Sequence, residues 1–105
     1  MTQPCIVLAA FTPLPGKLEE VLEVLRDITP VVHQEEGCEL YALHTEVGGK
    51  VFFIEKWTTR ALWEQHSGAQ SVATLRAGLT DLLTQDAEVW EMYGEDIGQE
   101  GKAAL

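Results

Sequence analysis

Glu55 lies in the run VFFIEKW (residues 51–57), a lone carboxylate among apolar and aromatic neighbours. Trp57 closes the run, and His66 follows in RALWEQH. A carboxylate in such company is costly to leave charged and unpaired, and burial makes it hold its proton more tightly than in water. It must be hydrogen-bonded, protonated or turned toward a pocket, and a protonatable group in a pocket is what general acid–base chemistry requires. Histidine titrates near neutrality, so His66 is a second candidate for moving a proton. An indole joins an aromatic face to one N–H donor, so Trp57 can line a binding site and hold a ligand. Each residue also has a plain structural reading: a bonded strand carboxylate, a core tryptophan, a histidine near a helix end.

The elements that must position these residues follow from hydrophobic periodicity. CIVLAAFT (5–12) reads as a strand and PLPG (13–16) as a turn. Leu18, Val21, Leu22, Leu25, Ile28 and Val32 then fall at helical spacing, opposite Glu19, Glu20, Glu23 and Arg26. Pro30 predicts a kink or break in this helix, and Gly37 in EEG offers a left-handed cap. CELYALHTEV (38–47) and KVFFIEKW (50–57) flank Gly48-Gly49, a two-residue hairpin signal. A tight turn sets Val47 against Lys50, and so Leu40 against Trp57, Ala42 against Glu55 and His44 against Phe53. His44 is then one diagonal step from Glu55 on the same face, and the two form the sharpest candidate pair.

Thr58 or Thr59 can cap a short helix through RALWEQH. Ser67-x-x-Gln70 reads as a capping box opening another, with Val72, Leu75, Leu79, Leu82 and Leu83 as its stripe. AEVWEMY (87–93) alternates as a last strand. Residues 1–94 are expected to form one domain and 95–105 a flexible, acidic, Gly-rich tail.

The order β-α-β-β-α-α-β predicts an α+β, ferredoxin-like split β-α-β fold: a four-stranded antiparallel sheet with helices on one face. The hairpin is apolar on both faces, so its helix-free face would be wet in a monomer. A homodimer through the sheet faces is expected.

Composition narrows the partners. Within 105 residues, 7 Lys+Arg against 17 Asp+Glu give a net charge of −10, which a nucleic-acid backbone or an anionic membrane would repel. CIVLAAF is too short to span a bilayer and lacks the basic flank of a signal peptide. Cys5 and Cys38 form no C-x-x-C motif and are expected to stay free thiols in a cytoplasmic protein. The sequence has no G-x-G-x-x-G and no P-loop, and His33, His44 and His66 lack metal-ligand spacing. No cofactor and no metal are expected.

FTPLPGK (11–17), EEGCELY (35–41), FIEKW (53–57) and ALWEQH (61–66), in this order and spacing, resemble the antibiotic biosynthesis monooxygenase family across residues 5–93. The resemblance implies a dimeric ferredoxin-like α+β barrel. Some members oxygenate quinols or polyketide-type aromatics without metal or organic cofactor, one branch degrades haem, and others are isomerases or have no known activity. The haem branch carries an Asn and an iron-ligating His at positions that fall here on Ala9 and near Arg76, and its Trp position falls on His66. Ala cannot hydrogen-bond a bound oxygen and Arg does not ligate iron, so haem chemistry is not expected.

The expectation is therefore a cofactor-independent monooxygenase whose partners are a small aromatic molecule, a quinol or polycyclic phenol, and molecular oxygen. Glu55, His44 and His66 are its candidate catalytic residues, and Trp57, Phe53 and Leu62 its candidate substrate contacts. The alternatives are a non-catalytic small-ligand-binding dimer and an isomerase of a small carbonyl compound.

Overall fold

The computed structural model describes residues 3–105. Four strands, β1 (Cys5–Phe11), β2 (Cys38–Thr45), β3 (Val51–Trp57) and β4 (Glu88–Tyr93), form one antiparallel sheet in the order β2-β3-β1-β4. Three helices, α1 (Leu18–His33), α2 (Arg60–Ser67) and α3 (Gln70–Gly78), complete the predicted ferredoxin-like α+β fold. Strand alternation sends Cys5, Val7, Ala9 and Phe11 of β1, and Val51, Phe53, Glu55 and Trp57 of β3, to the helix-covered face. Val21, Leu22, Leu25, Ile28 and Val32 of α1 complete that core, with Leu75 and Leu79 at α3.

The predicted break at Pro30 does not occur: α1 runs on to His33. Pro30 is exposed, so the carbonyl it deprives of an N–H faces water, where the loss is mild. One residue earlier, Thr29 Oγ1 donates to the Leu25 carbonyl at 2.7 Å. Gly37 does take a left-handed conformation, φ +85°, but beyond the helix, where its carbonyl accepts from Thr58 N at 2.9 Å.

The hairpin register is corrected by one residue. Glu46 N donates to Lys50 O and Gly49 N to Glu46 O, so the loop is Val47-Gly48-Gly49. A two-residue type I′ turn needs positive φ at both central positions; Gly49 has it (φ +105°) and Gly48 does not. Tyr41 therefore lies opposite Glu55, Leu43 opposite Phe53 and His44 opposite Phe52. A one-residue slip exchanges the faces of a strand. Tyr41 and Leu43 join the helix-covered face, while Leu40, Ala42 and His44 go to the other.

Two helix readings also change. Ser67 ends α2 and donates to the Glu64 carbonyl, so the capping box does not form; α3 begins after Ala69 with no side-chain cap. Thr59 caps α2 as predicted, its Oγ1 accepting from Leu62 N at 3.2 Å. The stripe predicted through Leu83 is cut at Gly78, and turns follow, with Asp81 at φ +64° and a bridge from Leu83 to Pro13. Both cysteines are free. They pair with Trp57 from opposite sides of β3, about 10 Å apart at ordinary strand spacing, too far for a disulfide. Beyond β4 the chain makes turns, and the Leu105 carbonyl accepts from Lys56 Nζ at 2.8 Å.

Gly37 is held by two constraints at once. A Cβ there would stand 2.6 Å from Leu62 Cδ1, and its backbone costs an L-residue about 1–2 kcal/mol. Gly37→Ala should lower the unfolding free energy by at least that amount, read as a lower denaturant midpoint at unchanged slope. An unchanged midpoint would refute the assignment.

Candidate functional site

A cavity of about 920 Å³ opens between the helix-covered sheet face and the segment from α2 to β4. Val7, Ala9, Phe11 and Phe53 form its sheet floor, and Trp63, Val72, Leu75 and Leu79 its apolar walls. Three polar side chains reach into it from the buried end: Glu55, Tyr41 and His66.

Glu55 is 3 % exposed. Trp57, two residues along the same face of β3, donates its Nε1–H to Glu55 Oε1 at 2.9 Å. Burial raises the Glu55 pKa from an ordinary 4.5 to about 7; the Trp57 hydrogen bond opposes that rise and the nearby Glu35 charge adds to it. Among the described residues, no fully buried side-chain nitrogen or oxygen lacks a partner. Among the described residues Glu55 Oε2 has no partner, and Glu55 lines the cavity, so that oxygen opens onto it.

The same reasoning places the Tyr41 hydroxyl and His66 Nε2 on the cavity. The Tyr41 ring stacks on Phe53 at 3.9 Å between centroids, and burial raises the phenol's pKa, so it stays a neutral O–H donor. The His66 ring lies 4.6 Å from the Trp57 ring at 26° and meets Tyr41 edge-on at 5.8 Å. Its Nδ1–H donates to Glu35 Oε1 at 2.6 Å, and Ser71 Oγ donates to the other Glu35 oxygen.

The structure thus brings together Glu55, His66 and Phe53 on the cavity, keeps Trp57 in contact with them but off its wall, and separates His44 and Leu62 from the lining. His44 is on the opposite sheet face, exposed, with Nδ1 bonded to the Ala42 carbonyl at 3.1 Å; the expected His44–Glu55 pair is not formed. Trp57 is wholly buried behind the cavity and holds Glu55 and His66 rather than forming wall. Leu62 packs on Gly37, outside the lining. Tyr41, Glu35 and Ser71 join the cluster without a signal in the sequence analysis. Tyr41 was lost with the register, while Glu35 and Ser71 meet His66 only through the tertiary fold. Among the described residues no cluster of three or more His, Cys, Asp or Glu could hold a metal ion.

Comparison with known proteins agrees with this architecture. The structure of Rv0793 from Mycobacterium tuberculosis superposes with a TM-score of 0.82 at 26 % identity, covering 91 % of this chain and 99 % of that one. PA3566 from Pseudomonas aeruginosa gives 0.79 at 27 %, covering 89 % and 95 %. In sequence, the chain is 29 % identical over 90 residues, 85 % of its length and 89 % of the relative's, to the M. tuberculosis protein named "Putative monooxygenase Rv0793". The family model described as antibiotic biosynthesis monooxygenase matches residues 4–77. With more than half of its length matched, and the fold of those relatives, the chain belongs to the antibiotic biosynthesis monooxygenase family.

Proposed function

We propose that the protein is a cofactor-independent monooxygenase acting on a quinol or polycyclic phenol. The observation that carries this reading is Glu55: a buried carboxyl with a pKa of about 7, one oxygen held by Trp57 and the other open to a cavity whose floor and inner walls are apolar. An electron-rich aromatic supplies its own electrons to oxygen once it is an anion, so the protein must desolvate it, remove a proton and stabilise negative charge on oxygen. Glu55 takes the proton, the neutral Tyr41 hydroxyl donates to the oxygen that gains charge, and His66 offers a second proton site. For a ring CH₂, as in an anthrone, the anion forms a C–O bond with O₂. One oxygen is retained as C=O and the other leaves as water with both hydrogens.

We also propose a cytoplasmic homodimer formed through the open sheet face. Ile6, Leu8, Leu40, Ala42, Phe52 and Ile54 are half-buried there with no helix of the described residues over them, and Trp90 and Met92 stand 44 % and 41 % exposed beside them. Burying such side chains contributes about 1.5–3 kcal/mol each at full burial. Light scattering at micromolar concentration should give twice the chain mass, and one chain mass would overturn the dimer.

The activity test is oxygen uptake by metal-free protein with a panel of naphthoquinols and anthrones. Uptake above the buffer blank is expected. Uptake equal to the blank, with the compounds still bound, would replace this reading by a binding dimer or a carbonyl isomerase using the same base. Tyr41→Phe should lower the rate about 10²-fold, the usual loss for one oxyanion donor. A rate unchanged by the loss of its hydroxyl would remove Tyr41 from the mechanism.

Glu55 fixes the pH dependence. As a base it works when deprotonated, so kcat/KM should rise from pH 6 and level off above about 7. Glu55→Gln should abolish that limb and cost about 10²–10⁴-fold in rate. Trp57→Phe removes the bond that lowers the pKa and should move the limb to higher pH. Stability should move the other way. The raised folded-state pKa means the folded protein binds the proton more tightly than the unfolded chain, so stability falls as pH rises from about 4.5 through 7. Glu55→Gln should therefore gain stability relative to wild type at pH 8, by at most about 3 kcal/mol, and lose that advantage at pH 4. A gain independent of pH would show that Glu55 does not titrate in this range.

A further inference from the structure

We propose that Glu35 is a positioning residue for His66, fixing the tautomer that leaves a lone pair on the cavity. The inference rests on the cavity being the reaction site. Glu35 stands in the turn between α1 and β2, its N–H donating to Val32 O at 3.0 Å and its carbonyl accepting from Cys38 N at 3.2 Å. Both of its carboxylate oxygens are engaged, one by His66 at the end of α2 and one by Ser71 near the start of α3. The imidazole is confined by Trp57 across its face and by Tyr41 at its edge. Its direction is therefore set before any ligand arrives.

A carboxylate only accepts hydrogen bonds. Its contact with Nδ1 requires the proton there, and in the neutral ring this leaves Nε2 as acceptor. Free imidazole side chains favour the opposite tautomer, so Glu35 reverses an intrinsic preference. The His66 side chain is 7 % exposed, and among the described residues its Nε2 has no partner and opens on the cavity.

The chemical consequence is a reversible proton site on the cavity that Glu55 also lines. O₂ first adds to the ring carbon, and the peroxide takes up the proton held by Glu55. The remaining C–H bond then breaks as the Nε2–H bond forms and the O–O bond cleaves, and the imidazolium keeps its other N–H on the Glu35 carboxylate. The same proton then goes to the oxygen that leaves as water, and the ring ends neutral. This is the logic by which a buried acid orients a catalytic histidine without itself taking the proton. A purely structural clasp would pin α2 and α3 to the α1–β2 turn and leave the tautomer without effect on rate.

The deciding measurement is the His66 tautomer, read from long-range ¹H–¹⁵N correlations of histidine-labelled protein with the ring neutral. His33 Nε2 and His44 Nδ1 also meet backbone carbonyls, so the exposed-site variants His33→Gln and His44→Gln remove the other two signals and assign His66. The expected result is Nδ1–H in wild type, Nε2–H gaining in Glu35→Gln, and oxidation at least about tenfold slower in that variant. Glu35→Asp, which keeps the charge, should retain Nδ1–H and more of the rate. An Nε2–H tautomer in wild type, or a Glu35→Gln protein with tautomer and rate unchanged, would overturn the proposal. A tautomer that switches in a protein with no oxygen uptake would uphold the positioning and sink the oxygenation reading.

Discussion

A carboxyl group at the centre of an apolar sheet is the constraint from which the site is built. β3 lies between β1 and β2, and its inward residues Val51, Phe53, Glu55 and Trp57 are all buried. An unpartnered acid in that row would carry a large desolvation cost. Trp57 relieves it because residues two apart on a strand share a face, which brings the indole N–H within bonding distance. The indole must then sit in the core, and its ring becomes the surface on which His66 lies. His66 in turn engages Glu35, and Glu35 engages Ser71. Groups from β3, the α1–β2 turn, α2 and α3 are thereby ordered around one buried carboxyl group.

Much of the fold was legible in the sequence because its signals are local and periodic. The helical spacing from Leu18 to Val32, the apolar strands and the order of elements suffice for the ferredoxin-like sheet. So did the grouping of Glu55 with His66, since strand, short connection and helix follow each other along the chain. The hairpin register was not legible. Two adjacent glycines suit a two-residue loop and a three-residue loop alike, and both faces of the hairpin are apolar, so hydrophobicity could not choose between registers. One residue of error exchanged Tyr41 for His44, which removed a true member of the cavity and supplied a false one.

Glu35 illustrates a different limit. Beside Gly37 it looks like ordinary helix-terminating punctuation, and nothing in its neighbourhood announces a partner. Its meaning comes from packing: α1 ends where the end of α2 and the start of α3 arrive, and a carboxylate there meets an imidazole and a hydroxyl together. Pro30 shows the converse, a strong local signal overridden because its missing hydrogen bond falls on the wet side of the helix. Local chemistry determines what a residue can do, and the solvent or partner it meets determines whether it does so.

The pKa of Glu55 is best understood as a balance between two opposed effects. Burial alone would drive the carboxyl far toward its neutral form, leaving too little base at neutral pH. A fully solvated carboxylate near its ordinary 4.5 would be charged but a weak base. The Trp57 N–H favours the charged form and opposes the desolvation, while the Glu35 charge, already committed to His66, acts against ionisation. The result lies near 7, where a base is both substantially deprotonated and able to hold a proton. That poise needs burial and one well-placed donor, and it draws on the same two residues, Trp57 and Glu35, that fix the neighbouring imidazole.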